Sequence, residues 1–109
     1  MRHLSFFETQ ETFTGPVRVT LVHVARKPAT SKRLFPRGDV DNYDKAVLDA
    51  ITSHTNVWND DDQVIELHSS KAFANNGEPE GCYIRVDAID LDGDSVMTYI
   101  RKTFSQLWS

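Results

Sequence analysis

Residues 38–51, GDVDNYDKAVLDAI, place two aspartates two apart, Asp39 and Asp41, with Lys45 four residues beyond the second. Residues 57–67, VWNDDDQVIEL, add three consecutive aspartates, Asp60, Asp61 and Asp62. Ionised carboxylates drawn together repel, and a divalent cation is one common way to make their proximity tolerable. Mg²⁺ prefers oxygen ligands and retains several waters, so a few protein carboxylates suffice to hold it. If the chain at Asp39–Asp41 is extended, alternate side chains share a face and both carboxylates point the same way. The Asp60–Asp61–Asp62 turn can then supply the remaining ligands. Each piece also has a plainer reading, DVDN as a helix cap and NDDD as a solvated turn. The combination of a DxD at a helix start, a lysine one turn in and a second acid cluster before a strand is harder to explain by caps alone.

These residues need elements to carry them. Residues 16–24, PVRVTLVHV, are rich in β-branched side chains and partly alternate, which predicts a strand. Residues 25–38 contain Pro28 and Pro36, end in glycine and read as a loop. Residues 41–53 read as a helix capped by Asp41 or Asn42, with Asp44 adding negative charge to the first turn. Tyr43, Ala46, Val47, Ala50 and Ile51 form its expected apolar stripe. Asp41, Lys45 and Asp49 share another side at i, i+4, i+8 spacing. Val57 and Trp58 are expected to anchor the following turn. Residues 63–73 and 81–89 read as two strands, and ANNGEPE between them carries the turn residues of a hairpin. DLDGDS then caps a last helix running to about Gln106, with Val96, Tyr99, Ile100, Phe104 and Leu107 on its apolar face. The expected class is α+β, a small mixed sheet with a C-terminal hairpin, packed by two helices.

The bulk properties narrow the setting. A chain of 109 residues with 39% hydrophobic and 26% charged residues fits one globular domain, 1–109. No apolar run approaches the ~18 residues of a membrane span. The N-terminal MRHLSFFETQETF carries acids and polar residues early and is not read as a secretory signal. The single cysteine, Cys82, cannot form an internal disulfide, so a reducing cytoplasm is expected. The net charge of −4 argues against nucleic acid, but its distribution argues for it. No acid occurs between Thr12 and Gly38, where Arg18, Arg26, Lys27, Lys32, Arg33 and Arg37 all fall. That basic segment reads either as a solvated loop or as an arm on phosphates.

Residues 38–67 resemble the signature of the RusA family of Holliday-junction endonucleases. The matching pieces are DVDNYDKAVLDAI and VWNDDDQVIEL, with Lys71 after them; the pattern is D-x-D-N, a lysine three places after the asparagine, D-A, then D-D-x-Q-V. The resemblance spans roughly residues 16–89. It implies that Asp39 and Asp41 bind metal, that Asp61 completes the site and that Asp60 is close by as a contributor. Asp62 falls at the variable position and is read as solvated. Lys45 matches the family's catalytic lysine, and Lys71 a basic residue placed at the DNA. The resemblance further implies a homodimer acting with Mg²⁺ on four-way junctions and other branched DNA, in recombination and repair, leaving 5′-phosphates and 3′-hydroxyls. The chain departs from the family pattern in a short stretch before Pro16 and in the last helix, 94–107, which extends past the family's core and is expected to cover open sheet.

The residues offer no convincing protein nucleophile, since Cys82 lies within a predicted strand and no serine sits with a histidine–acid pair. Water is therefore the expected attacking group, with Lys45 near the scissile phosphate or salt-bridged to Asp41 or Asp49. Arg26, Lys27, Lys32, Arg33 and Arg37 would contact backbone phosphates without reading sequence. DLDGDS places Asp90, Asp92 and Asp94 like a calcium loop. Its glycine comes one place early, however, and Arg101 stands where the closing glutamate belongs, so capping is the expectation. The four histidines have no metal-ligand spacing. Trp58 and Trp108 are read as packing residues. Two rivals to the nuclease are a junction-binding protein that has lost cutting and a calcium-stabilised interaction module.

Overall fold

The computed structural model describes residues 11–108. Most of the N-terminal stretch read above for a secretory signal lies outside them. Strand β1, Val17–Ala25, runs into the proline-containing loop and then helix α1, Val40–His54. A short 3-10 turn, Asp61–Gln63, leads into β2, Val64–Phe73, followed by β3, Gly81–Ala88, and helix α2, Val96–Thr103. The sheet is mixed and three-stranded, in the order β2-β1-β3. The α+β class, the small mixed sheet and the two helices are as the sequence implies. Among the described residues no helix is long and apolar enough to cross a membrane.

The expected hairpin does not form. β1 lies between β2 and β3, parallel to the first and antiparallel to the second. β2 and β3 do run in opposite directions, which is what their pattern resembled. Their connection, residues 74–80, spans roughly 9–10 Å, twice the inter-strand spacing, to pass over the end of β1. Ala74 donates its backbone N–H to the Ala25 carbonyl at 2.9 Å on the way. Burial explains why β1 takes the centre: Val17, Val19 and Leu21 are fully buried on one face, so this strand gains most from neighbours on both sides. The parallel β1–β2 pair requires a crossover, and α1 provides it.

Helix α1 starts one residue earlier than expected and is rotated relative to the expected stripe. Tyr43 and Ala46 are exposed, whereas Asp44, Val47, Leu48 and Ile51 turn inward. Leu48 buries more apolar area than Ala50 would, and a rotation that admits Leu48 carries Asp44 in with it. Ile51 joins Val17, Val19, Leu21, Val57, Trp58 and Val86 in the core. Val57 and Trp58 are thus the anchors that the sequence suggested. Trp58 Nε1 donates to Thr52 Oγ1 at 2.9 Å, tying the turn after α1 back to the helix.

Helix α2 is shorter than the pattern implied and ends at Thr103, with a 3-10 turn at Ser105–Trp108. Ser95 caps it by accepting from the Thr98 N–H at 3.1 Å. None of its residues is buried, and Val96, Met97 and Phe104 are exposed. Trp108 is likewise exposed, and its ring lies beneath the Arg101 guanidinium. The helix is fastened by Tyr99, whose hydroxyl donates to Glu66 Oε1 at 2.6 Å. Burial alone would raise the Glu66 carboxyl. Hydrogen bonds from Tyr99 and His68 and the charge of Arg18 outweigh it and hold the group below the ordinary glutamate value.

Replacing Leu21 with alanine would leave a cavity at the centre of the sheet and cost about 2–5 kcal/mol. Chemical denaturation measures this, and a loss below about 1 kcal/mol would contradict the placement of β1 at the core.

Candidate active site

Asp39 is the N-cap residue of α1, with extended backbone at φ −90° and ψ 136°. Its carboxylate makes no capping hydrogen bond. The cap reading of DVDN therefore describes the backbone but leaves the side chain unused. Asp41 stands in the first helical turn, so the expected extended DxD becomes a cap residue followed by helix, and neither Asp41 nor Asn42 is the cap. Neither Asp39 nor Asp41 has a hydrogen-bonded or ion-paired side-chain partner among the described residues.

The backbone entering Asp39 is held from two sides. Tyr43 donates its hydroxyl to the Arg37 carbonyl, and the Lys71 ammonium donates to the Gly38 carbonyl. Gly38 adopts φ +94°, in the region that disfavours side chains, and a Cβ there would lie 2.6 Å from the Tyr43 hydroxyl oxygen. Lys71 also sits 5.5 Å from the Phe35 ring centre. Its ammonium is thus engaged in supporting the loop.

Asp60, Asp61 and Asp62 do not behave alike. Asp60 caps the 3-10 turn, accepting from the Asp62 N–H at 3.0 Å. Gln63 completes the arrangement: its Oε1 accepts from the Asn59 and Asp60 N–H groups, and its Nε2 donates to the Phe13 and Gly15 carbonyls, each at 2.9 Å. One amide therefore pins the acidic turn to the chain preceding β1. Partial burial pushes the Asp61 carboxyl up, as do its hydrogen bond to Asp60 and the charges of Asp60, Asp49 and Asp62. Asp49 belongs to the third turn of α1, so negative charge from the helix and the turn does meet at Asp61. Among the described residues, however, no group of three or more His, Cys, Asp or Glu side chains is arranged to hold a metal ion. The charge concentration suits a cation, while the expected Asp39–Asp41–Asp61 ligand set is not preassembled.

Lys45 pairs with Asp49 at 3.6 Å, and its side chain is 77% exposed. An exposed i,i+4 pair contributes only about 0.3–0.5 kcal/mol, so the lysine is readily released. In the basic loop, Arg26 meets Glu80 at 3.8 Å, Lys27 lies over the Phe73 ring and Arg33 lies over Phe35 while donating to its carbonyl. The side chains of Lys32 and Arg37 have no partner among the described residues. Leu34, beside Phe35, is 88% exposed. Burial raises the Cys82 thiol, a hydrogen bond from the Val22 backbone lowers it in part and the charge of Asp44 adds to the rise, all of which leaves less thiolate. The DLDGDS segment acts locally, with Asp90 accepting from the Asp92 N–H and Asp94 pairing with Lys102.

Asp44, Tyr43 and Gln63 were not read from the sequence as structural supports of this region. Asp44 had a visible signal, because it shares the i, i+3, i+4, i+7 face with Val47, Leu48 and Ile51, where a carboxylate needs a buried partner. His23 had one too, continuing the alternation of Val17, Val19 and Leu21.

A family model described as Endodeoxyribonuclease RusA matches residues 3–87. The chain belongs to that family. Membership implies an endonuclease of the kind that resolves Holliday junctions in DNA, a group generally dependent on divalent metal. No curated protein and no solved structure is matched by this chain.

Two expectations follow. Gly38→Ala would force an unfavourable backbone conformation against Tyr43 and cost about 1–3 kcal/mol; thermal melts that match wild type would contradict the φ assigned there. The raised Asp61 carboxyl means that its ionised form opposes folding. This penalty is full above the raised value, is relieved as pH falls through it and is gone below the ordinary value. Without added metal, Asp61→Asn should therefore melt higher than wild type at pH 7, a gap that narrows as pH falls toward the ordinary carboxylate value. A lower melting temperature at pH 7 would contradict the repulsion.

Proposed function

We propose that the chain is a Mg²⁺-dependent, structure-specific endodeoxyribonuclease that resolves four-way DNA junctions in recombination and repair, working as a homodimer. The observation that carries this reading is the pair of carboxylates, Asp39 and Asp41, at the braced start of α1, which have no partner among the described residues. It is supported by the charge crowding at Asp61 on the adjoining turn.

Asp39, Asp41 and Asp61 would hold the ion, with Asp60 contributing while it keeps the turn closed. Bound Mg²⁺ would supply a Lewis acid beside the phosphodiester and a source of hydroxide at neutral pH. Lys45, released from Asp49, would bring its ammonium to the scissile phosphate or the leaving oxygen. Arg26, Lys27, Lys32, Arg33 and Arg37 would contact the backbone phosphates, with Lys71 supporting their loop through Gly38. Two copies related by a two-fold axis would present two such sites at a fixed separation, as a four-way junction requires.

One observation favours a second reading, a junction-binding protein without cleavage: no three-ligand group is assembled among the described residues. Incubation of a labelled four-way junction with the protein, with and without Mg²⁺, separates the two. The nuclease reading expects metal-dependent cleavage that Asp41→Asn reduces by at least about a hundredfold, with junction binding retained. A gel shift without product at any Mg²⁺ concentration would favour the binder, and wild-type cutting by Asp41→Asn would remove that residue from the site.

A further inference from the structure

The endonuclease reading leaves one buried polar cluster unused. Asp44 is 7% exposed, on the face of α1 that meets the sheet. A carboxylate so placed needs strong partners. Its Oδ1 accepts from His23 Nε2 at 2.7 Å and from Ser69 Oγ. His23, 9% exposed, stands on β1 in line with Val17, Val19 and Leu21, and Ser69 stands on β2 opposite Leu21. A single carboxylate oxygen therefore joins the helix to the central strand and to an edge strand.

The joint lies one residue from Lys45 and three from Asp41. It also continues outward: the His23 ring centre is 5.3 Å from that of Tyr43, whose hydroxyl holds the Arg37 carbonyl ahead of Asp39. Stability alone does not call for these residue types, since well-packed apolar side chains in place of buried polar partners are often as stable or more so. A polar joint differs in direction. Apolar contacts tolerate small rotations and slides of a helix, whereas hydrogen bonds weaken steeply off their preferred angle.

We infer that Asp44, His23 and Ser69 are positioning residues that fix the rotation and height of the first turn of α1, and so the presentation of Asp41 and Lys45 to the scissile phosphate. The catalytic half of this inference rests on the endonuclease reading; the structural half does not.

Two substitutions separate direction from packing. Asp44→Leu fills the space without hydrogen bonds, and Asp44→Asn retains the accepting oxygen. In folded Asp44→Leu, amide exchange at residues 43–47 should quicken by about tenfold or more while that of residues 19–22 stays unchanged. Single-turnover cleavage should fall by about a hundredfold, the order expected for a misplaced catalytic group. Junction binding without metal should fall far less than cleavage, because the joint reaches the phosphate-contacting loop only at Arg37, through Tyr43. Asp44→Asn should recover most of both losses. Ser69→Ala, which removes one of the two hydrogen bonds and little volume, should give an intermediate result and serves if Asp44→Leu does not fold. Unchanged exchange at 43–47 in the folded variants would overturn the joint. So would equal acceleration across β1, which marks a general loss of stability. A wild-type protein that cuts no junction would overturn the endonuclease reading instead, with the exchange pattern still deciding the joint.

Discussion

Helix α1 rests against the sheet face that carries Val17, Val19 and Leu21, and different chemistry holds it at its two ends. Toward the C-terminus the contact is apolar, through Ile51, Val57 and Trp58. Toward the N-terminus it is polar, through Asp44 with His23 and Ser69. The two acid-bearing segments depend on this one placement. Asp39 and Asp41 sit at the start of the helix, and the Asp60–Asp62 turn is reached through Trp58, which is bonded to the helix at Thr52. A shift of α1 would move both groups of carboxylates relative to the sheet.

Charge is arranged around that helix with little internal neutralisation. Partial burial raises the Asp61 carboxyl, and the hydrogen bond to Asp60 and the charges of Asp60, Asp49 and Asp62 raise it further. Asp39 and Asp41 have no side-chain partner among the described residues. The basic loop joins this acidic region directly through Arg37 and Gly38. Polyanionic DNA would meet the cationic loop first, and a cation brought with the phosphate would then meet the carboxylates of Asp39 and Asp41. Among the described residues Asp39, Asp41 and Asp61 do not gather into one group, and bringing them together would heighten their repulsion.

Much of this was legible in the sequence. The elements, the anchors Val57 and Trp58, and the RusA-family motifs each had a strong local signal. The errors came where tertiary geometry decides. The pattern of β2 and β3 was right about their opposite directions, but turn residues such as Asn75 and Gly77 cannot show that β1 intervenes. The apolar residues of α1 alone imply a stripe without Asp44, which is charged; its burial depends on His23, twenty-one positions away. The last helix was expected to bury its apolar face, yet Tyr99 holds it by polar contacts while Val96 and Phe104 remain exposed. Gln63 belongs to the D-D-x-Q-V motif, but only the fold shows its amide linking the acidic turn to Phe13 and Gly15.

The central claim is that carboxylates from the helix start and from the acidic turn share a cation when DNA is bound. Anomalous scattering from Mn²⁺ in crystals of the protein with a four-way junction tests it most directly. The account predicts a peak coordinated by Asp61 together with Asp39 or Asp41, beside a backbone phosphate. A peak held by one segment alone, or Mn²⁺ sites that involve none of these residues, would contradict it.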